Sequence, residues 1–406
     1  MKKQILLIGV AVLLLSCSSP LDKKFNKDTA EEAETIKKAN DLITEKKYNT
    51  AFNLLDKFDP TNDKPNVVLL KEEILLNYFV TSILHQMFSL VDIKKNEDIL
   101  DYRRKEGSFN TQLFAVDSIL TRLITMYPTN CELKKGLANY YYEVHLKYGG
   151  RWLKDDKELF PIIQTNFEKA IDEGCADYLS HYVLAYINLL QEKNEESIPH
   201  FLASIELNDK YASSHYNLAY AYYFTNDEEK ALKHAKRSLD LYSDKIYKSD
   251  AARMIGQIYT ELQDDKNAIA YYEEADKIDP ENYYNIKPIL HLYLKTNNKN
   301  TKQTTNAFFN LDPTNPTIYY DLEEVYFSNN KGNELIDFYK SQFPMFKNNN
   351  TVQGGLNFGL ARIYLQTDKN IAKGFFIKAK QDFEKVYDKN HDVFRVIDAG
   401  LERCEI

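Results

Sequence analysis

Residues 178–211, 211–244 and 250–283 of this chain are three copies of one pattern, and no other feature constrains the fold as much. In each copy an apolar residue and a small one come early, as Leu184-Ala185, Leu218-Ala219 and Ile255-Gly256. A second small residue, Ser197, Ala231 or Ala268, follows twelve positions after the first. Successive copies are offset by 34 and 37 residues, and His181 and His215, like His200 and His234, stand 34 apart. A unit this short cannot bury its own apolar face, so copies have to stack. Small side chains let two helices approach closely, and large rings fill the space beside them. The interleaved alanines and tyrosines of "YNLAYAYY" (216–223) then need neither a membrane nor a nucleic acid to account for them. Only 13 Gly and 11 Pro stand against 30 Tyr and 22 Phe, which suits long helices over turn-rich sheet.

The pattern resembles the tetratricopeptide repeat, in which two antiparallel helices occupy each 34 residues. Ala219 and Ala231 match the family's small positions, Tyr222 and Tyr259 its aromatic position, and Pro280 in "KIDPENY" its closing proline, which the two preceding copies lack. The resemblance implies an all-α solenoid of antiparallel helix pairs. Residues 131–283 are its core, with Leu137-Ala138 and Tyr141 in register at the start. Residues 284–406 read as degenerate helical repeats: 284–312 is the weakest part, and Leu322, Tyr326, Leu360-Ala361 and Tyr364 restore the register. Residues 30–130 read as an N-terminal helical region, with Ala39, Leu42, Tyr48 and Ala51 in step. Within it "ILLNYFVTSILHQMFSLV" (74–91) is expected to be a buried amphipathic helix, because Asn77, Thr81, His85 and Ser89 form a polar stripe every four residues.

The start of the chain is different in kind. A basic "MKK", an apolar run of eleven and "SC" come first, and a span needs about 20 apolar residues. Residues 1–16 therefore read as a secretory signal. "LLSC" resembles the bacterial lipoprotein cleavage box, with Leu15 where that box more often has a smaller residue; Cys17 is then the lipidated residue. Residues 17–29 are a polar tether. Ser18 stands where an aspartate would retain a lipoprotein in the inner membrane, and no acidic surface-export signal follows. The resemblance thus implies a lipid anchor in the outer membrane, on its periplasmic face.

With 52 Lys and Arg against 60 Asp and Glu the chain is acidic, and more so once the leader lysines are lost. Nucleic-acid binding rests on neutralising phosphates, so nucleic acid is excluded as a partner. Cys131, Cys175 and Cys404 remain besides Cys17, an odd number that leaves at least one unpaired. Cys131 and Cys175 could pair, but two buried or spare thiols are the expectation.

No catalytic or cofactor spacing is present: no H-E-x-x-H, G-x-S-x-G, C-x-x-C or phosphate loop, and the pairs Gly149-Gly150 and Gly354-Gly355 lack the third glycine of a dinucleotide site. The histidines at repeat-equivalent positions are expected to be inherited positions rather than metal ligands. The chain is therefore expected to be no enzyme and to need no metal or cofactor. In the family the first helix of each pair lines a groove that holds peptides or partner helices. The positions that map there are Tyr182, Tyr186, Tyr216, Asn217, Tyr220, Tyr223, Arg253 and Gln257, with Asn217 where the family often has a backbone-binding asparagine; Tyr320 and Phe358 match further on. Together these imply a membrane-anchored scaffold that binds a protein or peptide partner in a tyrosine-rich groove. The alternatives are a glycan- or peptidoglycan-binding lipoprotein, or an accessory subunit of an envelope enzyme complex.

Overall fold

The structure is a computed structural model that describes residues 29–405, apart from 104, 106–108 and 152–153. The signal, Cys17 and nearly all of the tether lie outside the described residues. The fold is an all-α helical repeat, with twenty helices and one small sheet among those residues. It divides into two units, Met1–Asn226 and Asp227–Ile406.

The first unit opens with α1 (Ala30–Thr44), α2 (Tyr48–Phe58) and α3 (Pro65–Tyr78). Ala39, Tyr48 and Ala51 are buried, as their repeat register requires. Lys71 is fully buried on α3, and its ammonium donates to Asp56 Oδ1 (2.9 Å), the Asp59 carbonyl (2.8 Å) and Asn62 Oδ1 (2.8 Å). Three acceptors for three N–H groups are what keeps that charge tolerable without water.

The expected helix over 74–91 is corrected. After α3 the chain forms β1 (Thr81–Ile83) and β2 (Met87–Ser89), and the sheet is completed by β3 (Gln112–Leu113) in the antiparallel order β1-β2-β3. Residues four apart share a face of a strand as well as of a helix, so the Thr81, His85, Ser89 stripe did not discriminate between them. The hairpin turn has no Gly or Asn, yet Leu84 (φ 50°) and His85 (φ 46°) are both left-handed. Tertiary contacts hold them there: Tyr140 Oη donates to the His85 carbonyl (3.1 Å) and the His85 N–H donates to Tyr148 Oη (3.1 Å). Burial drives the His85 imidazole down to about 3, so it stays neutral.

Next come α4 (Ile99–Arg103), α5 (Val116–Met126), α6 (Cys131–Tyr148), α7 (Asp156–Asp172), α8 (Tyr178–Leu190), α9 (Asn194–Leu207) and α10 (Ala212–Phe224). Helix α6 stops at Gly149, whose φ of 43° a side chain would resist. Asp177 and Ser180 form a reciprocal capping box that starts α8. The expectation of spare thiols is corrected here as well: Cys131, at the start of α6, is bridged to Cys175, in the loop before α8. Cys404 is free.

The second unit is ten helices: α11 (Glu228–Leu241), α12 (Lys245–Glu261), α13 (Asp265–Ile278), α14 (Tyr283–Thr296), α15 (Thr301–Asn310), α16 (Pro316–Ser328), α17 (Gly332–Gln342), α18 (Asn350–Tyr364), α19 (Lys369–Phe383) and α20 (Asp392–Glu405). The seam rule holds between α12 and α13, where a Cβ on Gly256 would come within 3.0 Å of the Tyr272 ring. Ala268, twelve residues on, is fully buried beside it. Gly354 and Gly355 have the same use. A Cβ there would meet the Phe383 ring at 2.7 Å and Tyr319 Oη at 2.6 Å, so their absence seats α18 against α19 and α16.

One turn recurs along the whole chain. Lys46, Glu192, Gln263, Asn297 and Asn330 are left-handed, with φ between 54° and 61°, each between the two helices of a hairpin. Asn226, after α10, adopts the same conformation (φ 58°). Three of these six are asparagine, the non-glycine residue most at ease there. The stretch that reads as degenerate in sequence, 284–312, is thus an ordinary hairpin of α14 and α15.

Candidate interaction face

In the first unit the positions expected to face a partner are mostly packed away. Tyr182 is 1% exposed, and Tyr186, Asn217, Tyr220 and Tyr223 are also buried; only Tyr216 is half-buried. This corrects the expectation of an open tyrosine groove at those residues. Tyr182 stacks on Tyr186 (6.0 Å, 14° between planes) and meets Tyr211 edge-on (5.0 Å, 88°). Asn217 Nδ2 donates to Tyr182 Oη (3.1 Å), so the amide stitches α10 to α8. Tyr186 meets Tyr142 edge-on at 6.2 Å, and burial raises its hydroxyl to about 12. Tyr220 lies on Phe224 at 4.5 Å. Tyr182 and Tyr186 thus fill the space between consecutive hairpins.

The second unit treats the same helix positions differently. Arg253, Lys287, Tyr320 and Phe358 recur at intervals of 34, 33 and 38 residues on α12, α14, α16 and α18. The Arg253 guanidinium pairs with Asp250 (2.5 Å) and sits 5.4 Å from the centre of the Tyr284 ring. Lys287 reaches from α14 to Asp321 (2.6 Å) and Glu324 (3.0 Å) on α16, and Tyr283 Oη donates to the same Asp321 (2.7 Å). The Arg362 guanidinium lies 3.6 Å from the centre of Tyr320 and pairs with Glu323 (2.5 Å). Burial raises the Glu323 carboxyl to about 7 against the pull of Arg362, and its Oε1 has no hydrogen-bond partner. Gln257, one turn beyond Arg253, is half-buried. Two tyrosines stay open, Tyr284 at 53% and Tyr320 at 48%, and Phe327, two turns beyond Tyr320 on α16, is exposed as well.

Such a face offers flat rings held in place by guanidinium groups and charges already matched in pairs. It can grip an extended or helical ligand by contact area and hydrogen bonds. Sequence reasoning reached Arg253, Gln257, Tyr320 and Phe358 but missed Tyr284, Lys287, Glu323 and Arg362. The signal was there for Arg362, which follows Leu360-Ala361 directly, and for Glu323, which occupies the small-residue position after Leu322. Tyr284 and Lys287 lie where the small-residue pair has faded to Ile289-Leu290.

Among the described residues one group of three possible metal donors converges: Cys131, Glu132 and Cys175. The two sulfurs are joined to each other, and Lys135 pairs with Glu132 (2.8 Å) and donates to the Cys175 carbonyl (3.2 Å). A cation inside the donor set opposes a second one, so the group is a salt-bridged disulfide staple. Among the described residues no helix is long and apolar enough to cross a membrane.

The family model described as tetratricopeptide repeat matches residues 212–245 and 254–282. No curated protein sequence matches the chain. Similar solved structures include a tetratricopeptide repeat protein from Parabacteroides merdae, 19% identical over 62% of this chain and 94% of that one, with a TM-score of 0.39. The C-terminal part of a repeat protein from Cytophaga hutchinsonii is 12% identical over 67% of this chain and 94% of its own, with a TM-score of 0.40. YrrB, described as a repeat protein with an unusual peptide-binding site, is 15% identical over 46% of this chain and 95% of its own, with a TM-score of 0.35. The chain is thus an all-α helical-repeat protein, two of whose segments match the tetratricopeptide-repeat model.

Proposed function

We propose that this chain is a cell-envelope scaffold that holds a protein or peptide partner on the first-helix face of its second unit. The observation that carries the reading is the pair of open, arginine-braced rings, Tyr284 and Tyr320, in a molecule that otherwise packs most of its tyrosines away. Braced aromatic rings supply contact area at little entropic cost, which is the usual make-up of a binding hot spot. Arg253, Gln257 and Phe358 complete the surface, and the chemistry of the reaction, if the partner has one, belongs to the partner. A photo-crosslinking phenylalanine analogue in place of Tyr320 should capture one protein stoichiometrically from intact cells. Capture at the same level when the analogue replaces Phe394, on α20, would overturn the assignment of the face.

The lipid anchor at Cys17 and the outer-membrane, periplasm-facing location belong to the same proposal. The "LLSC" box supports them, and so does the Cys131–Cys175 bridge, since structural disulfides persist in oxidising compartments. Cys17→Ala should abolish acyl labelling and leave the precursor uncleaved; labelling at the unmodified level would remove the anchor.

A further inference from the structure

His181 and His200 share a helix hairpin of the first unit, His181 in the first turn of α8 and His200 in the middle of α9. Their Nδ1 atoms stand 3.5 Å apart, and the ring centres 5.8 Å with planes tilted by 35°. Two imidazoles that meet nitrogen to nitrogen have two uses for that approach. One ring can donate its N–H to the other's lone pair, or both can turn lone pairs toward one cation.

The spacing suits the cation. Zinc–imidazole bonds of about 2.0–2.1 Å at tetrahedral angles hold two ligand nitrogens about 3.3–3.4 Å apart, within the ±0.2 Å tolerance of a plausible site. Burial lowers the protonation range of both rings; Asp177 partly opposes this at His181, and the neighbouring His181 adds to it at His200. Neutral imidazole is the form that binds metal. Both rings are half-buried, so water can reach the remaining coordination positions.

We propose that His181 and His200 form a two-imidazole site for a borderline divalent transition metal such as zinc, nickel or copper, clasping α8 to α9, with water in the other positions. Nitrogen donors select these ions over magnesium and calcium, which prefer oxygen. The site goes beyond the scaffold reading and does not depend on it: α8 and α9 lie in the first unit, the proposed partner face in the second.

Titrating the full chain with zinc chloride at pH 7.5, chelator-free and with the disulfide oxidised, tests it by calorimetry and thermal shift. One zinc per chain should bind, raising the melting midpoint with zinc concentration as ligand linkage requires. His181→Ala and His200→Ala should each weaken binding at least tenfold, magnesium should have no effect, and cobalt(II) should give a visible ligand-field band that disappears in either variant. His200→Asn keeps a polar side chain on α9 and covers the case in which alanine unfolds the hairpin. The proposal is overturned if zinc does not bind at millimolar concentration or if the folded histidine variants bind like the parent. It is equally overturned if binding is lost only in Cys131→Ser or Cys175→Ser.

Discussion

Tyr182 and Tyr320 stand at the same register position, two residues before Leu184 and Leu322, yet one is 1% exposed and the other 48%. What differs is the next hairpin. Tyr182 is met by Tyr211 edge-on and by the amide of Asn217, a ring and a short side chain that close over it. Tyr320 is met by Arg362, which covers one side of the ring and is itself tied to Glu323. A tyrosine at this position is therefore neither core nor surface by itself. Its neighbour one repeat on decides, by offering apolar bulk or a charge that needs water.

The largest effect expected from this contrast is in the first unit. Tyr182→Ala removes a ring packed against Tyr186, Phe201 and Tyr211 and leaves Asn217 without its acceptor. Large-to-small changes of this kind cost about 3–5 kcal/mol. Chemical denaturation of the variant checks it; a loss below about 1 kcal/mol would mean the tyrosine cluster is not core and would erase the contrast.

Next in size is the small-residue seam between α12 and α13 of the second unit. Gly256→Leu forces branched bulk against the Tyr272 ring, and overpacking costs about 1–3 kcal/mol. An unchanged melting midpoint would show that α12 and α13 are not as close as the repeat register demands. This seam is also the part of the fold most legible in sequence. A small residue followed twelve later by another is a local signal that needs no knowledge of the partner helix. The β1–β2 hairpin was not legible, because its left-handed turn at Leu84 and His85 is imposed by Tyr140 and Tyr148, more than fifty residues away. The candidate face was half legible for a similar reason. Positions are set by the period, but exposure is set by the identity of the residue one repeat on.

Buried acids sharpen the comparison through pH. Glu72, in the first unit, is pushed to about 8 chiefly by burial, with Glu73 adding and Lys135 opposing. Glu323, in the second, reaches about 7 with Arg362 opposing. Both carboxyls take up a proton more readily folded than unfolded. Their contribution is fully present below about pH 4.5 and is lost as pH rises to 8 for Glu72 and to 7 for Glu323. Glu72→Gln should flatten the decline of first-unit stability over that window, followed by hydrogen exchange on α3 amides. A decline as steep as in the parent would place the titration elsewhere.

Tyr320→Ala is expected to do least to stability and most to binding. The ring lies half in water, and what its loss removes is an exposed cation–π contact worth about 0.5–1 kcal/mol. The Arg362–Glu323 pair survives, because neither charge depends on the ring for its partner. Partner capture, in contrast, loses a flat surface already held in its binding orientation, so little ordering remains to be done on association. Tyr220→Ala is the matched control, since that ring packs on Phe224 inside the first unit and its loss should lower stability by several times as much. Stability and partner recovery measured on both variants separate the two fates of the tyrosines. If Tyr320→Ala melts like Tyr220→Ala, the open ring is structural after all; if it keeps both its stability and its partner, the binding face lies off α16.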